Sequence, residues 1–182
     1  MKNYNLHFLK NTNHLPQLIF TERLLLFPFT TQICTDILNA DFKFLDVLGL
    51  HKDINWPDAD LLETLPRIVI NLSKVTALTG FESWIIVKKE TNEIIGDIGF
   101  KGLNTQTHSC DIGYGILEAE QRKGYAQEAT QGLLQWVLQY DATINITAAT
   151  LLTNTSSIKL LQKLHFSETH TDDTFIYWQL VK

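Results

Sequence analysis

The chain has 182 residues, 45% of them hydrophobic and 19% charged, and a formal net charge of −5. This length supports one well-cored domain rather than two, and the composition is ordinary for a globular protein. The acidic balance argues against general nucleic-acid binding, which calls for a basic face.

In chain order, residues 1–20 read as a polar, irregular lead-in, and a single domain is expected over 21–182. Arg23 to Phe29 is a short, almost wholly apolar run, the pattern of a strand covered on both faces, with Pro28 suited to its end or to an edge. Thr30 to Leu50 shows helical spacing at Ile33, Ile37, Leu38, Phe44, Leu45 and Leu48, with Thr30 or Thr31 as N-cap and Gly49 as terminator. Residues 51–59 read as a loop. Leu61, Leu62, Leu65, Ile68, Val69 and Leu72 predict a second amphipathic helix, kinked or broken at Pro66.

Trp84 to Lys88, Glu93 to Phe100 and Cys110 to Leu117 read as three strands of an antiparallel meander, linked by residues 89–92 and by a polar loop at 101–109. In the third strand Ile112, Tyr114 and Ile116 share one face, while Asp111, Gly113 and Gly115 share the other. Two glycines leave that second face open to close approach. Tyr125 to Tyr140 predicts a long helix with Ala126, Ala129, Leu133, Val137 and Tyr140 on its core stripe, and Gly132 suits close packing. Asn145 to Leu152 reads as a strand, followed by a short helix through Ile158, Leu161 and Leu164 that one of Asn154, Thr155 or Ser156 caps and that stops near His165. Thr174 to Val181 is the final strand. The long helix between the third meander strand and the strand at 145 is a crossover, which makes those strands parallel if they are neighbours. The expected fold class is α/β, a mixed central sheet with helices on both faces.

The turn Gln121-Arg122-Lys123-Gly124-Tyr125-Ala126 stands between a strand and a long helix. A glycine-bearing turn that opens directly into a helix leaves backbone N–H groups without internal partners at the positive end of the helix dipole. Arg122 and Lys123 add charge, so the turn reads as a cradle for phosphate or pyrophosphate. It is not a P-loop, since no Gly-x4-Gly-Lys-Ser/Thr is present, and Gly113 and Gly115 lie in a strand rather than in a dinucleotide turn.

Cys34 and Cys110 have no metal-ligand spacing, and the six histidines His7, His14, His51, His108, His165 and His170 include no pair at helical metal spacing, so no metal is expected. Residues 1–18 lack the uninterrupted apolar run of a secretory signal. No stretch approaches the roughly 20 apolar residues that span a bilayer. The expectation is a cytoplasmic protein with reduced thiols and no membrane association.

This order of elements, with the anion turn after the meander, resembles the GNAT superfamily of acyl-CoA-dependent N-acyltransferases. The turn is similar to that family's pyrophosphate loop, Gln/Arg-x-x-Gly-x-Gly/Ala, matched by Gln121, Gly124 and Ala126. Thr21-Glu22-Arg23-Leu24, Ile95-Gly96, Ile112-Gly113-Tyr114, Lys123-Gly124-Tyr125-Ala126 with Glu128-Ala129, and Asn154 to Phe166 resemble its RimJ/RimL-like branch. The resemblance implies acetyl-CoA as donor, with the amides of Arg122, Lys123, Gly124, Tyr125 and Ala126 on the pyrophosphate. It implies that the backbone of Ile116 and Leu117 pairs with the pantetheine arm and that Asn154 contacts it or orders the loop. The thioester oxygen would meet a backbone N–H of the open third strand.

Three positions depart from the family's pattern. Phe27 stands where many relatives have arginine, Leu161 stands where many have a tyrosine that protonates the leaving thiolate, and His165 replaces a glycine. Ser157, one turn before Leu161, is the remaining candidate general acid. Asp111 is the first candidate for general base, with Glu82, Asp97 and His108 behind it. The acceptor implied is a primary amine, foremost a protein N-terminal α-amine. Neutralising a lysine-like amine at pH 7 costs about 4.6 kcal/mol, against about 1 for an α-amine. The alternatives are a small amine such as an aminoglycoside, polyamine or amino acid, or a module that binds acyl-CoA without efficient catalysis. Trp56-Pro57 with Asp58 and Asp60 is expected on the acceptor side, and the protein is expected as a monomer or homodimer.

Overall fold

The computed structural model describes residues 18–182. Residues 1–17, most of the expected lead-in, lie outside the described residues. The end of that lead-in is already sheet: β1 (Ile19–Phe20) pairs antiparallel with β2 (Leu24–Pro28). The tight turn between them is closed by Thr21, whose N–H donates to the Leu24 carbonyl at 3.0 Å and whose hydroxyl accepts from the Leu24 N–H at 3.0 Å.

The helix expected over 30–50 is two helices, α1 (Thr31–Leu38) and α2 (Lys43–Leu48). Ala40 adopts a left-handed φ of 53°, and the Asp41 carboxylate accepts from the Lys43 N–H at 3.1 Å. An Asp that bonds its own backbone two residues on offers the chain an alternative to the helix, which ends there. Gly49 stops α2 in the left-handed region, as expected. The loop expected at 51–59 begins with β3 (His51–Lys52), too short to carry a period-2 pattern. The helix α3 (Ala59–Leu72) follows and runs through Pro66 without a break. Pro66 and the residue four before it, Leu62, are both exposed, so the carbonyl that proline leaves unpaired is on the solvent side.

The meander follows as β4 (Ser83–Lys88), β5 (Glu93–Asn104) and β6 (Ser109–Ile116), then α4 (Tyr125–Tyr140), β7 (Asn145–Leu151), α5 (Thr155–Lys163), β8 (Phe166–Thr171) and β9 (Phe175–Leu180). The sheet order is β1-β2-β4-β5-β6-β7-β9-β8, with β3 beside β5. As the crossover requires, β6 and β7 are parallel neighbours. His165 stops α5 with φ 65°. Strand β8 is not expected from the sequence because only Phe166 of its six residues is buried, so no hydrophobic alternation marks it.

Side chains alternate across the strands into two cores. Leu24, Leu26, Trp84 and Ile86 pack with α4 and α5 on one face, whereas Leu25, Phe27, Ile85 and Val87 pack with α1, α2 and α3 on the other. Both faces are therefore covered by helices.

One departure from regular pairing positions the site. The β6–β7 ladder runs from Ser109↔Asn145 to Ile112↔Ala148 and stops. Beyond it β6 continues to Ile116 with only β5 beside it, while β7 stays with β9 to Leu151. The two strands splay, and the sheet opens between them.

Candidate active site

Three adjoining spaces surround this opening. A cleft of about 500 Å³ lies between the turn at 120–127, the end of β6 and the start of α5. A second, of about 200 Å³, lies between α3 and strands β5 and β6. Behind them a space of about 220 Å³ fills the splay between β6 and β7. Asp58, Asp60, Tyr114 and Gly115 line both clefts, and Tyr114 also lines the splay.

The turn at 121–126 faces the larger cleft. Helix α4 begins at Gly124, whose φ of 82° is left-handed, and no side chain caps it. Among the described residues, its first-turn amides are therefore without protein partners beside the cleft. Ile116, Gln121, Arg122, Gly124, Tyr125, Ala126 and Asn154 all line this space. Gln121 donates its side-chain N–H to the Ile116 carbonyl at 3.0 Å, tying the turn to the strand. Lys123 and Leu117 are not among the lining residues. The Lys123 ammonium pairs with Glu120 at 3.0 Å, and the Leu117 N–H donates to the Ile95 carbonyl at 2.9 Å. Burial pushes the Glu120 carboxyl up, but hydrogen bonds from Lys88 and Lys123 outweigh it and hold the carboxyl below its usual range.

The turn is held from outside by residues of the first motif. Glu128 accepts from the Thr21 hydroxyl, the Arg23 N–H and the Arg23 Nε, each at 2.6 Å. Arg23 donates from Nη1 to the Lys123 carbonyl at 3.0 Å and lies over the Tyr125 ring at 4.5 Å. Burial pushes the Glu128 carboxyl up, and these hydrogen bonds carry it below its ordinary range. The pairing of Thr21-Glu22-Arg23 with Lys123-Gly124-Tyr125 and Glu128 is thus a clamp, which the sequence displays only as separate motifs.

On the other side of the opening, Asn154 caps α5, its Oδ1 accepting from the Ser157 N–H at 3.0 Å. Ser157 lines the larger cleft and the splay beside Tyr114. Leu161 is buried, and Phe27 lies in the α1–α3 core.

The four candidate bases are placed very differently. Asp111 is ion-paired with Lys101 and accepts from the Thr147 hydroxyl at 3.2 Å, and it lines none of these spaces. It shares a strand face with Gly113 and Gly115 but lies at the far end, where β6 and β7 are still paired. Glu82 is buried and accepts from the N–H groups of Thr79 and Gly80 at 3.0 Å each, holding a loop. His108 Nε2 lies 2.9 Å from the Thr143 hydroxyl and 3.1 Å from the Asp141 carboxylate, away from the clefts.

Asp97 alone lines the smaller cleft, partly buried and without a hydrogen-bond or ion-pair partner among the described residues. It pairs in register with Gly115, where a Cβ would stand 3.3 Å from its Oδ1. A Cβ at Gly113 would meet nothing within 4 Å. The two glycines thus do leave this face open, and the group that looks into it is Asp97. Burial raises the Asp97 carboxyl, and the charges of Asp58 and Asp60 add to the effect, to about 7.

Asp58 also caps α3, accepting from the Leu61 N–H at 2.9 Å. Trp56 is not on the acceptor side. It is buried against Phe42 and Phe44 in the α1–α3 core. Among the described residues no group of three or more His, Cys, Asp or Glu is placed to hold a metal, and no helix is long and apolar enough to cross a membrane.

Residues 23–167 match the family model described as an acetyltransferase (GNAT) domain. The chain belongs to the GNAT acetyltransferase family. The N-acetyltransferase YjdG of Bacillus subtilis is 34% identical over 161 residues, which cover 88% of this chain and 96% of that protein. The N-acetyltransferase p20 of Bacillus licheniformis is 36% identical over 150 residues, 82% of each chain. Among solved GNAT structures, RimL, described as a ribosomal L7/L12 alpha-N-protein acetyltransferase in complex with coenzyme A, superposes with a TM-score of 0.65. It is 15% identical and covers 91% of this chain and 98% of its own. The ribosomal-protein-S5-alanine acetyltransferase of Vibrio fischeri gives 0.64 at 17% identity, covering 91% and 97%. At these identities the two solved structures share the GNAT fold with this chain, and the fold alone.

Proposed function

We propose that this GNAT enzyme moves the acetyl group of acetyl-CoA to a primary amine, and that its acceptor is a protein N-terminal α-amine. The observation that carries the proposal is Asp97, a carboxylate with no partner among the described residues, in a small cleft that meets the larger cleft at Tyr114 and Gly115. The uncapped start of α4, with Arg122 beside it, suits the pyrophosphate of acetyl-CoA, and the splay between β6 and β7 suits a narrow extended arm. Ile116, Gln121, Gly124, Tyr125, Ala126 and Asn154 line that path, while Leu117 and Lys123 support it by fixing the strand end and Glu120.

Acetyl-CoA supplies a thioester whose carbonyl carbon is open to attack by a neutral amine. The acceptor would enter the smaller cleft as a cation, drawn by Asp58 and Asp60. Asp97, which titrates near 7, would take its proton. A base of that pKa is matched to an α-amine near 7.8 and mismatched to a lysine near 10.4. We therefore assign the base to Asp97 rather than Asp111, whose carboxylate is already paired with Lys101. The names of RimL and the Vibrio fischeri protein, both ribosomal-protein acetyltransferases, support the choice of a protein amine.

The test is an acceptor panel scored for acetyl transfer by mass: peptides beginning with Ala or Ser, the same peptides with blocked ends and an internal lysine, polyamines, aminoglycosides and amino acids. Transfer to the free peptide ends alone is the expected result. Transfer only to small amines overturns the acceptor assignment. Thermal stabilisation by acetyl-CoA without transfer to any acceptor identifies a binding module instead.

A further inference from the structure

Acetyl transfer as proposed, on which this inference rests, must also deal with the departing sulfur. A thiolate released into a narrow, protein-lined space is costly unless a donor meets it. Three side chains with an O–H line the splay, Tyr114, Thr150 and Ser157; the Thr150 hydroxyl is held by the Trp178 indole N–H, from which it accepts at 3.0 Å, and the neighbouring Leu160 and Leu161 have no proton to give. The Tyr114 hydroxyl is fully buried and, among the described residues, makes no hydrogen bond of ordinary geometry, with the Ser157 hydroxyl close enough to lower its pKa. Leaving a buried hydroxyl unpaired costs about 1–3 kcal/mol, and native proteins rarely do so without a reason. Tyr114 is also common to both clefts and the splay, at the point where β6 has lost its β7 partner.

We propose that Tyr114 is the general acid, its phenol hydroxyl giving its proton to the sulfur as coenzyme A leaves. Tyr114 and Gly115 are adjacent on β6, and Asp97 lies across from Gly115. Neighbouring strand residues point to opposite faces, so the carboxylate and the phenol address one point of the opening from its two sides. Burial holds the phenol above its ordinary range against the lowering effect of Ser157 beside it, so it remains protonated at neutral pH. The phenol is a weaker acid than a thiol in water, but the same shielding that raises it also raises the sulfur's affinity for a proton. Ser157, an alcohol and a weaker acid still, serves to orient the phenol.

The step balances. The ammonium's first proton leaves through Asp97 to solvent before attack; the amine lone pair then forms the C–N bond and the nitrogen's second proton passes to the re-ionised Asp97. The C–S bond breaks with its electron pair on sulfur, and that pair takes the Tyr114 proton. Asp97 is left protonated and Tyr114 as phenolate, and exchange with solvent returns one proton from the first to the second. Charged groups facing this point are Asp58, Asp60 and Arg67 from α3, Asp97 and Lys101 from β5, and Glu120 and Arg122 from the turn. The α5 residues that line these spaces are uncharged.

The test is single-turnover acetyl transfer from acetyl-CoA to whichever peptide or amine the panel identifies. Tyr114→Phe keeps the ring and is expected to slow this step about 100-fold, within the range of general-acid contributions. The thermal stabilisation by acetyl-CoA and its KM should stay at the wild-type level, and Ser157→Ala should lose much less. Site-specific replacement of Tyr114 by 3-fluorotyrosine, nearly isosteric, lowers the phenol pKa and should move the alkaline fall of the rate to lower pH. A Tyr114→Phe rate close to wild type, a loss confined to KM, or a pH profile indifferent to fluorination would overturn the assignment while leaving acetyl transfer intact. A wild-type protein that binds acetyl-CoA but transfers to no acceptor would overturn the reaction and this assignment with it.

Discussion

Asp97 is a residue whose charge and surroundings conflict. Its carboxyl moves from an ordinary 3.8 to about 7 because burial and the nearby Asp58 and Asp60 disfavour the charge. Between those values the native state holds a proton that the unfolded chain has released, so stability falls as pH rises through the window and levels off above it. Asp97→Asn removes that charge. The variant should be more stable than wild type above pH 7, by up to a few kcal/mol, with the gain shrinking toward pH 4. Thermal melts across pH 4–8 measure it. The same variant should lose at least about 100-fold in kcat, together with the rise in rate through pH 7 expected of the wild type. If Asp97 is the base, the site gives up stability for a poised group, a common trade. The sequence offers Asp97 as one of four candidates and favours Asp111 over it. Alternation along one strand tells which face a carboxylate shares, and says nothing of Lys101, which arrives from the neighbouring strand to pair with Asp111.

At the scale of elements, the turn into α4 keeps its shape through contacts with β1 and β2 rather than through its own residues. Glu128, in the first turn of α4, accepts from Thr21 and twice from Arg23 across more than a hundred residues of chain. Glu128→Gln keeps the size and removes the charge. It should weaken acetyl-CoA about tenfold, equivalent to about 1.4 kcal/mol, by loosening the Arg23 contacts with the Lys123 carbonyl and the Tyr125 ring. Isothermal titration with coenzyme A measures this, and an unchanged affinity would show that the turn holds itself. The turn's sequence is legible because glycine and helix spacing are local signals. The clamp is not, because nothing in the spacing of residues 121–128 reveals that Arg23 lies beside them.

For the whole molecule, the apolar strands and the long helix are readable because each buries a regular face, as with Leu24 and Leu26 against α4 and Leu25 and Phe27 against α3. What escapes reading are elements without such a face: β1 and β3 of two residues each, and β8, exposed after Phe166. The break between α1 and α2 escapes for another reason. Apolar spacing continues across Asn39 to Asp41, and only the left-handed Ala40 and the Asp41 bond to the Lys43 N–H end the first helix. The open sheet between β6 and β7 shows in the sequence only as a face left bare by glycines, yet it is an edge in the middle of the sheet. Past Ile112 and Ala148 the ladder lacks a partner just where an arm with peptide-like amides can enter. Backbone amide deuterium uptake at residues 113–116 and 149–151 should therefore slow when coenzyme A is added, while β2 and β4 exchange at an unchanged rate. The donor would then act as the sheet's missing strand, and each turnover would close and reopen the β-ladder without any domain having to move.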